Sequence, residues 1–553
     1  MSPRLFCFCG LTVAGLLEPA AAQRILAEHF GSQPLARHGA ALAPIADFDG
    51  DGVRDLVVGE PQHDYSAAAG ILDTGAVVLR SSRTGTIRAR QAALDPLGNF
   101  GLTVAAVGDV NGDGIADFAG GSPLILSRSG RVRVFSGLDG TELWRADGEH
   151  LAGLGSGIAG LGDLNGDGRV DLAISAAHNS NRTPYSFVSY RAGNTGAPLY
   201  QIVSTLQTEW GRTIAAIPDV TGDGQPDLIV GEPLSDNFGQ AAGRIALVDP
   251  RAPVPASLRW SAGPVFYDYE HGGSVVAAAG DLDGDGWPEV LTAGNRGVVY
   301  AFSGANGALR LTLSSALPSF GASIADAGDF DGDGWSDIAV GAPLADNGAG
   351  RVLVYARTGA LIAELFGASG SSFGAALAKL GDFDRDGLDD LAVGAPWHLR
   401  QGQQIGRVSI HGYRVAARAE LFGFSCASSS ANPDLYPAGT PVLGERFEAR
   451  CAGIAPNALG LWMIGTSRTQ SAFGPLPFDL TPLGFAGCSF LVSHEVVIAF
   501  PTGSPGYVRL ELSVPMAPYL VAAEFYLQAG FVDPLASPIL ALSRGLLCRV
   551  GHP

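Results

Sequence analysis

The stretch Asp329-Phe330-Asp331-Gly332-Asp333-Gly334-Trp335-Ser336-Asp337 places carboxylates at positions one, three, five and nine of a short, glycine-rich segment. Side chains of one charge crowded this closely repel one another unless a cation lies among them. A hard divalent cation such as Ca²⁺ takes about six to eight oxygen ligands, and a glycine at the sixth position lets the backbone wrap it. The same spacing recurs at Asp47, Asp49, Asp51 and Asp55; at Asp109, Asn111, Asp113 and Asp117; and at Asp163, Asn165, Asp167 and Asp171. It returns at Asp219, Thr221, Asp223 and Asp227; at Asp281, Asp283, Asp285 and Glu289; and at Asp382, Asp384, Asp386 and Asp390. The expected chemistry is up to seven bound Ca²⁺ ions, each held by these four side chains and the carbonyl of position seven. These are not EF-hand loops, because the twelfth position, Val340 in this copy, lacks the bidentate glutamate and a strand follows. Three copies depart from the pattern: Thr221 is a neutral ligand, Glu289 reaches further than Asp, and Arg385 replaces glycine at position four. Equivalent loops repeated along a chain argue for a structural rather than a catalytic metal.

The loops also explain the charge. The chain of 553 residues carries a formal net charge of -19. Nearly half of its acidic residues stand at loop ligand positions, so bound Ca²⁺ would cancel most of the excess. Nothing in this balance points to nucleic acid. A hydrophobic content of 46% with abundant glycine suits a turn-dense β protein rather than a disordered chain.

Recurrence at intervals of about 50 to 60 residues makes the loop part of a larger repeat. In the sixth copy an apolar segment, Phe320 to Ala327, leads into the loop, and Asp337 to Gly341 follows as a second strand. That strand shows little alternation, which predicts burial of both faces. Gly350 to Arg357 alternates as a third strand, Thr358-Gly359 makes a hairpin turn, and Ala360 to Phe366 is a fourth. Four short antiparallel strands per unit is the arithmetic of a propeller blade, and seven units predict seven blades.

The Phe-Gly start, the Gly-Asp-x-Asn/Asp-Gly-Asp-Gly loop and the Gly-Ala-Pro end resemble FG-GAP repeats. Such repeats form the β-propeller of integrin α subunits and of many exported bacterial proteins. The resemblance covers roughly Gln23 to Arg414. The third and fifth copies depart from it, starting with Leu154-Gly155 and Gly272-Gly273 and ending with Ala176-Ala177 and Ala293-Gly294-Asn295. Two segments, Ile25 to Gly31 and Ala417 to Gly423, both look like the fourth strand Leu361 to Gly367. Both compete for one outer position in the last blade. The N-terminal one is preferred there, because it closes the ring and protects an edge.

The N-terminus reads as an export signal over residues 1–22: Arg4, an apolar run from Leu5 to Leu17, and Ala20-Ala21-Ala22 before Gln23. No later apolar run is long enough to suggest a transmembrane segment. The expected location is therefore secreted or cell-surface. Residues 23–424 are assigned to the propeller and 425–553 to a C-terminal β-sandwich with alternating strands. The order Leu443-Gly-Glu-Arg-Phe447, Leu476-Pro-Phe-Asp-Leu480, Gly487-Cys488 and Phe525-Tyr-Leu-Gln528 resembles a C-terminal module of exported bacterial proteins. Four cysteines in this part, Cys426, Cys451, Cys488 and Cys548, suggest two disulfides in an exported chain. Of the three possible pairings, Cys426–Cys488 with Cys451–Cys548 is preferred.

Strand direction puts the cation loops and the three-to-four turns on one face of the disc. The other face carries longer, more varied loops with aromatic and basic residues, including Tyr65, Arg182, Tyr267, Tyr269, Trp397 and His398. Such a surface suits docking of an extracellular glycan or protein. No Gly-x-Ser-x-Gly elbow, His-Glu-x-x-His motif or phosphate-cradling loop occurs. The resemblance and these motifs imply a non-catalytic binding or adhesion module. The alternative is a calcium-dependent polysaccharide-active enzyme, lyase-like, using the same loop face.

Overall fold

The computed structural model describes residues 24–551 apart from 65–72, 96, 126–128, 150–151, 178–185, 205–207, 238–239, 252–257, 264–270, 414–417, 428–432, 455–457, 472–473, 484, 486–487, 494, 503–506, 515–522 and 533–539. Each repeat folds as one antiparallel four-stranded sheet in simple up-and-down order, and there are seven such sheets among the described residues. In repeat six the strands are Ser323–Gly328, Asp337–Ala342, Arg351–Tyr355 and Leu361–Phe366. The second strand is buried at every residue, as its lack of alternation predicts. The fourth alternates between buried and exposed positions, because it forms the sheet's outer edge.

The first strand begins later than the apolar pattern suggests. Phe320-Gly321 precedes it, and Phe320 is inserted into the core instead of being paired in the ladder. The following glycine has a backbone reason. In repeat two, Gly101 has φ +87°, and a Cβ there would lie 2.3 Å from the carbonyl oxygen of Ala76. Only glycine fits that close approach.

Seven apolar clusters hold the sheets together, one between each neighbouring pair. Ile45, Val57 and Leu79 of repeat one pack with Phe100, Phe118 and Phe135 of repeat two, and equivalent sets continue around the chain. The seventh cluster joins Leu380, Phe383 and Ile410 of repeat seven to Leu56, Val58 and Val78 of repeat one. The arrangement therefore closes on itself, and every sheet face is buried against a neighbour.

The N-terminal strand makes the last sheet complete. Arg24–Phe30 pairs antiparallel with Arg407–Gly412, giving the order first strand, Arg407–Gly412, Asp390–Ala395, Ala376–Gly381. The competing strand, Arg418–Phe422, pairs instead with Gly545–Arg549. The chain thus enters the C-terminal sheets before residue 424, ahead of the change in composition. There a six-stranded sheet and the three-stranded sheet of Asp434–Ala438, Arg446–Ala452 and Tyr507–Ser513 share one core of Leu435, Phe447, Trp462, Leu527, Phe531 and Leu546.

One predicted disulfide forms and the other does not. Cys426 and Cys488 are bonded with Cα atoms 5.1 Å apart. Cys451 and Cys548 are free, buried thiols, which corrects the expected second bridge. They lie in different sheets, Cys451 at the centre of the three-stranded one and Cys548 between Ala419 and Phe525. Both are packed among aliphatic and aromatic side chains as small apolar residues. Burial pushes the Cys451 thiol up to about 12 and raises that of Cys548 as well.

Candidate metal centres and the opposite loop face

All seven loops adopt the same hydrogen-bonded turn. In the sixth, Asp329 Oδ1 accepts from the Gly332 amide at 2.8 Å and Oδ2 from the Gly334 amide at 3.0 Å. Asp333 accepts from the Trp335 amide at 2.9 Å, and Asp337 at position nine accepts from the Phe330 amide at 2.9 Å. The doubted copies keep the same bonds: Asp219 with Gly224, Glu289 with Leu282 and Asp382 with Gly387. Thr221 donates toward Asp227 at 3.3 Å, so a hydroxyl occupies the place of a carboxylate. Arg385 takes φ +67° and extends its guanidinium to the Asp51 carbonyl at 2.7 Å, tying loop seven to loop one.

Position nine begins the buried second strand, so its carboxyl is removed from water. Burial first, and then the neighbouring carboxylates, raise these groups: Asp55, Asp117 and Asp227 to about 6, Glu289 to about 7, Asp337 to about 8 and Asp390 to about 9. Asp171 is raised by the same cause. In the first three loops a backbone amide satisfies the second oxygen, from Ser82, Gly137 and Gly193. In the last three, Glu289 Oε1, Asp337 Oδ1 and Asp390 Oδ1 are buried without a hydrogen bond.

A buried, unsatisfied carboxylate oxygen beside further carboxylates fits a divalent cation, which would both neutralise and ligate it. Ligand atoms of Asp47, Asp49 and Asp55; of Asp281, Asp283 and Asp285; of Asp329, Asp331 and Asp333; and of Asp382, Asp384 and Asp390 each lie within 4.8 Å of one another. Loops two, three and four carry Asn111, Asn165 and Thr221 at position three and hold fewer acids. Arginines approach two of the acidic clusters: Arg310 lies 2.9 Å from Asp283, and Arg24 lies 2.7 Å from Asp384. Loops five, six and seven each combine four acids with a buried orphan oxygen, and among the described residues no salt bridge engages the acids of loop six, which makes it the best-formed candidate of the set.

Arginines missed in the sequence reading lock this face. Arg88 stacks 4.8 Å from the Phe48 ring and donates to the Phe48 and Leu138 carbonyls. Arg83 covers Phe383 and donates to its carbonyl at 2.7 Å. Both lie at the third-to-fourth strand turn of repeat one, and nothing in their spacing announces the rings they cover.

On the opposite face, Trp397 and His398 come together at the seam between repeats seven and one. Arg37 lies 4.2 Å over the Trp397 ring, Arg400 lies 4.2 Å over Phe30, and Phe30 is 5.8 Å from the His398 ring. Burial lowers the His398 pKa, so that imidazole stays neutral. Tyr65, Arg182, Tyr267 and Tyr269 lie outside the described residues. A buried polar group that the sequence reading passed over adjoins this seam. His38 stands where other repeats carry Phe100, Phe320 or Phe373, and its Nδ1 is 2.8 Å from Glu60. Glu60 is paired with Arg90 as well, and its histidine and arginine partners hold it ionised.

The FG-GAP repeat profile matches residues 38–79, 100–135, 210–248 and 373–411, and an FG-GAP-like repeat profile matches 281–340. The chain carries FG-GAP repeats. Each of the four FG-GAP segments takes in a first strand, a cation loop and the second and third strands, and the FG-GAP-like segment runs from the loop at Asp281 through the loop at Asp329. The chain is 30% identical over 206 residues to integrin alpha-V of Gallus gallus and 36% identical over 208 residues to integrin alpha-IIb of Homo sapiens. Each alignment covers 34% of this chain and 19% of the relative, so the similarity spans less than a fifth of either integrin chain. A crystal structure of BBS1N in complex with ARL6DN, soaked with mercury, superposes loosely, with TM-score 0.42 and 10% identity over 71% of this chain and 98% of that one. Among the described residues no helix is long and apolar enough to cross a membrane.

Proposed function

We propose that the FG-GAP region is a seven-bladed β-propeller, followed by a C-terminal β-sandwich, and that the whole acts outside the cell as a non-catalytic binding or adhesion module. In this reading the cation loops hold structural Ca²⁺ on one face. The loops of the other face receive an extracellular glycan or protein. An exported protein of bacterial type, with a signal segment over residues 1–22, is consistent with the disulfide between Cys426 and Cys488. In this reading the propeller ends with the strand Arg407–Gly412 and the sandwich begins with the strand Arg418–Phe422.

The observation that carries the reading is the division of labour between faces. Seven near-identical, hydrogen-bonded carboxylate loops lie on one side. On the other, irregular loops bring Arg37, Trp397, Arg400 and Phe30 together at the seam. Aromatic and arginine side chains grouped on a rigid scaffold are the usual anchors of recognition surfaces.

The test is an array of glycans and extracellular proteins probed with the mature protein in millimolar calcium and again in chelator. A specific ligand retained in calcium and weakened by Trp397→Ala supports the module. Turnover of a polysaccharide substrate would replace it with the enzyme reading, and no ligand of either class would remove it.

A further inference from the structure

Four repeats set an arginine near the start of the third or end of the fourth strand against a glutamate. Arg90 pairs with Glu60, Arg244 with Glu232 at 2.6 Å, Arg351 with Glu364 at 3.5 Å and Arg407 with Glu28 at 2.7 Å. The glutamates come from two sites. Glu60 and Glu232 end the second strand; Glu364 and Glu28 lie on the fourth, opposite Leu353 and Ser409.

Repeat two breaks the pattern at both sites. Ser122 follows the second strand where Glu60 and Glu232 stand, and Arg145 occupies the fourth-strand position of Glu364 and Glu28. Arg145 therefore lies directly opposite Arg133 in the ladder, with Arg131 two residues along. Like charges facing each other across a strand pair are unfavourable unless a counter-charge joins them. Arg131 has its own partners, Asp95 at 2.8 Å and Asp147. Arg133 is held by Glu142 at 2.6 Å and by the Ala92 carbonyl at 3.2 Å. Arg145 is exposed, and among the described residues no hydrogen bond or salt bridge holds it; the carboxylate it acts on electrostatically, Asp147, is itself bonded to Arg131. A cavity of about 230 Å³ lies at this spot, lined by the three arginines, Asp95, Ser122, Ile125 and the apolar residues 92–94.

We propose that this cavity between repeats one and two binds a carboxylated sugar residue of an acidic glycan, its carboxylate paired with Arg145 much as Glu60 is paired with Arg90, at the same fourth-strand position, in repeat one. The inference rests on the binding-module reading and narrows its ligand class. The sugar's hydroxyls would find an acceptor in Asp95, which lines the cavity and is partly exposed. Asp95 disfavours an acidic peptide, which has few hydroxyls to donate to it. The floor of Ala92, Ala93, Leu94 and Ile125 suits one face of a pyranose ring.

The experiment is calorimetric titration of the mature protein in calcium buffer with trigalacturonate, its methyl ester and poly-L-glutamate. Trigalacturonate should bind, and the methyl ester, which keeps the shape but loses the charge, should bind at least about tenfold more weakly. Arg145→Gln should produce a similar loss. Arg145→Glu installs the side chain of repeats six and seven and replaces a like-charge pair with an opposite one, so it should fold with a thermal midpoint no lower than that of the wild type and abolish binding. Equal binding of acid and ester, or of wild type and Arg145→Gln, overturns the proposal. So does binding of poly-L-glutamate without trigalacturonate, and so does no binding of any probe. If the array then yields a ligand indifferent to Arg145→Gln, the module reading stands and this site falls. An array without any ligand removes both.

Discussion

The Arg24 guanidinium lies 2.7 Å from the Asp384 carboxylate, at position three of the seventh cation loop, and 3.1 Å from Asp386 at position five. The strand that completes the last sheet therefore also brings a positive charge into a candidate cation site. A Ca²⁺ ion bound there would compete with Arg24 for the same oxygens. Replacing Arg24 with Gln should strengthen calcium binding at loop seven and, in chelator, cost about 1 kcal/mol, given the partial exposure of the pair. Calcium titration with a metal count, alongside unfolding in chelator, reads both effects. Unchanged calcium affinity would show that Arg24 and the ion do not meet.

Calcium removal should lower the unfolding midpoint of the whole FG-GAP region. An ion present at a hundredfold above its dissociation constant stabilises by about 2.7 kcal/mol for each site that only the folded state offers. Thermal unfolding in millimolar calcium and in excess chelator measures the sum. Identical midpoints would mean that the loops are turns held by their own hydrogen bonds alone.

Two aspartates of loop six separate those explanations. Asp333 makes one exposed bond to the Trp335 amide, whereas Asp329 bonds the amides of both Gly332 and Gly334. Asp333→Ala should lose most of its effect in chelator. Asp329→Ala should destabilise by roughly 1 to 2 kcal/mol even there, because two turn amides lose their acceptor. Unfolding of both variants with and without calcium is the check.

The closing sheet should be sensitive to acid. Burial lowers His29 to about 4 and His411 to about 3, from an ordinary value of 6.5. His29 also holds the Ser82 carbonyl at 2.6 Å. A histidine with a depressed folded pKa leaves the unfolded chain binding more protons, so its contribution is complete above pH 6.5 and declines as pH falls toward 4. The stability difference between wild type and His29→Gln should therefore shrink on acidification, and imidazole resonances of both histidines should not titrate above pH 5. Titration near 6.5 in either resonance would contradict the burial.

Thiol chemistry separates the four cysteines. Without reductant, a maleimide should label two thiols in the denatured protein lacking residues 1–22, which carry Cys7 and Cys9, and none in its folded form, because Cys451 and Cys548 are buried. Cys426→Ser should cost about 2 to 4 kcal/mol in the C-terminal sheets, the usual contribution of a bridge closing a loop of this length.

Much of the FG-GAP region is legible in the chain because its rules are local. Asp329 and Gly334, or Phe330 and Asp337, are neighbours in sequence, so spacing alone places their hydrogen bonds. The six consecutive buried residues of Asp337–Ala342 follow equally from a strand that does not alternate. The preference for Arg24–Phe30 over Arg418–Phe422 as partner of Arg407–Gly412 came from edge protection, and the two strands do divide in that way.

What the chain does not display are meetings between residues remote in sequence, since these depend on which sheet faces touch. Spacing makes Cys451–Cys548 as good a pair as Cys426–Cys488, but only packing brings two cysteines to bonding distance, and it leaves the first pair as free thiols. Nothing near Asp384 announces Arg24, and nothing near Arg145 shows that it faces Arg133 across the ladder beside a missing glutamate. Sequence by itself determined the repeat, the cation loops and the buried strands, because each is specified within a few residues. Tertiary structure alone decided the disulfide, the arginine in loop seven and the open arginine of repeat two, because side-chain charges and sulfurs act over distances that the fold, not the chain, sets.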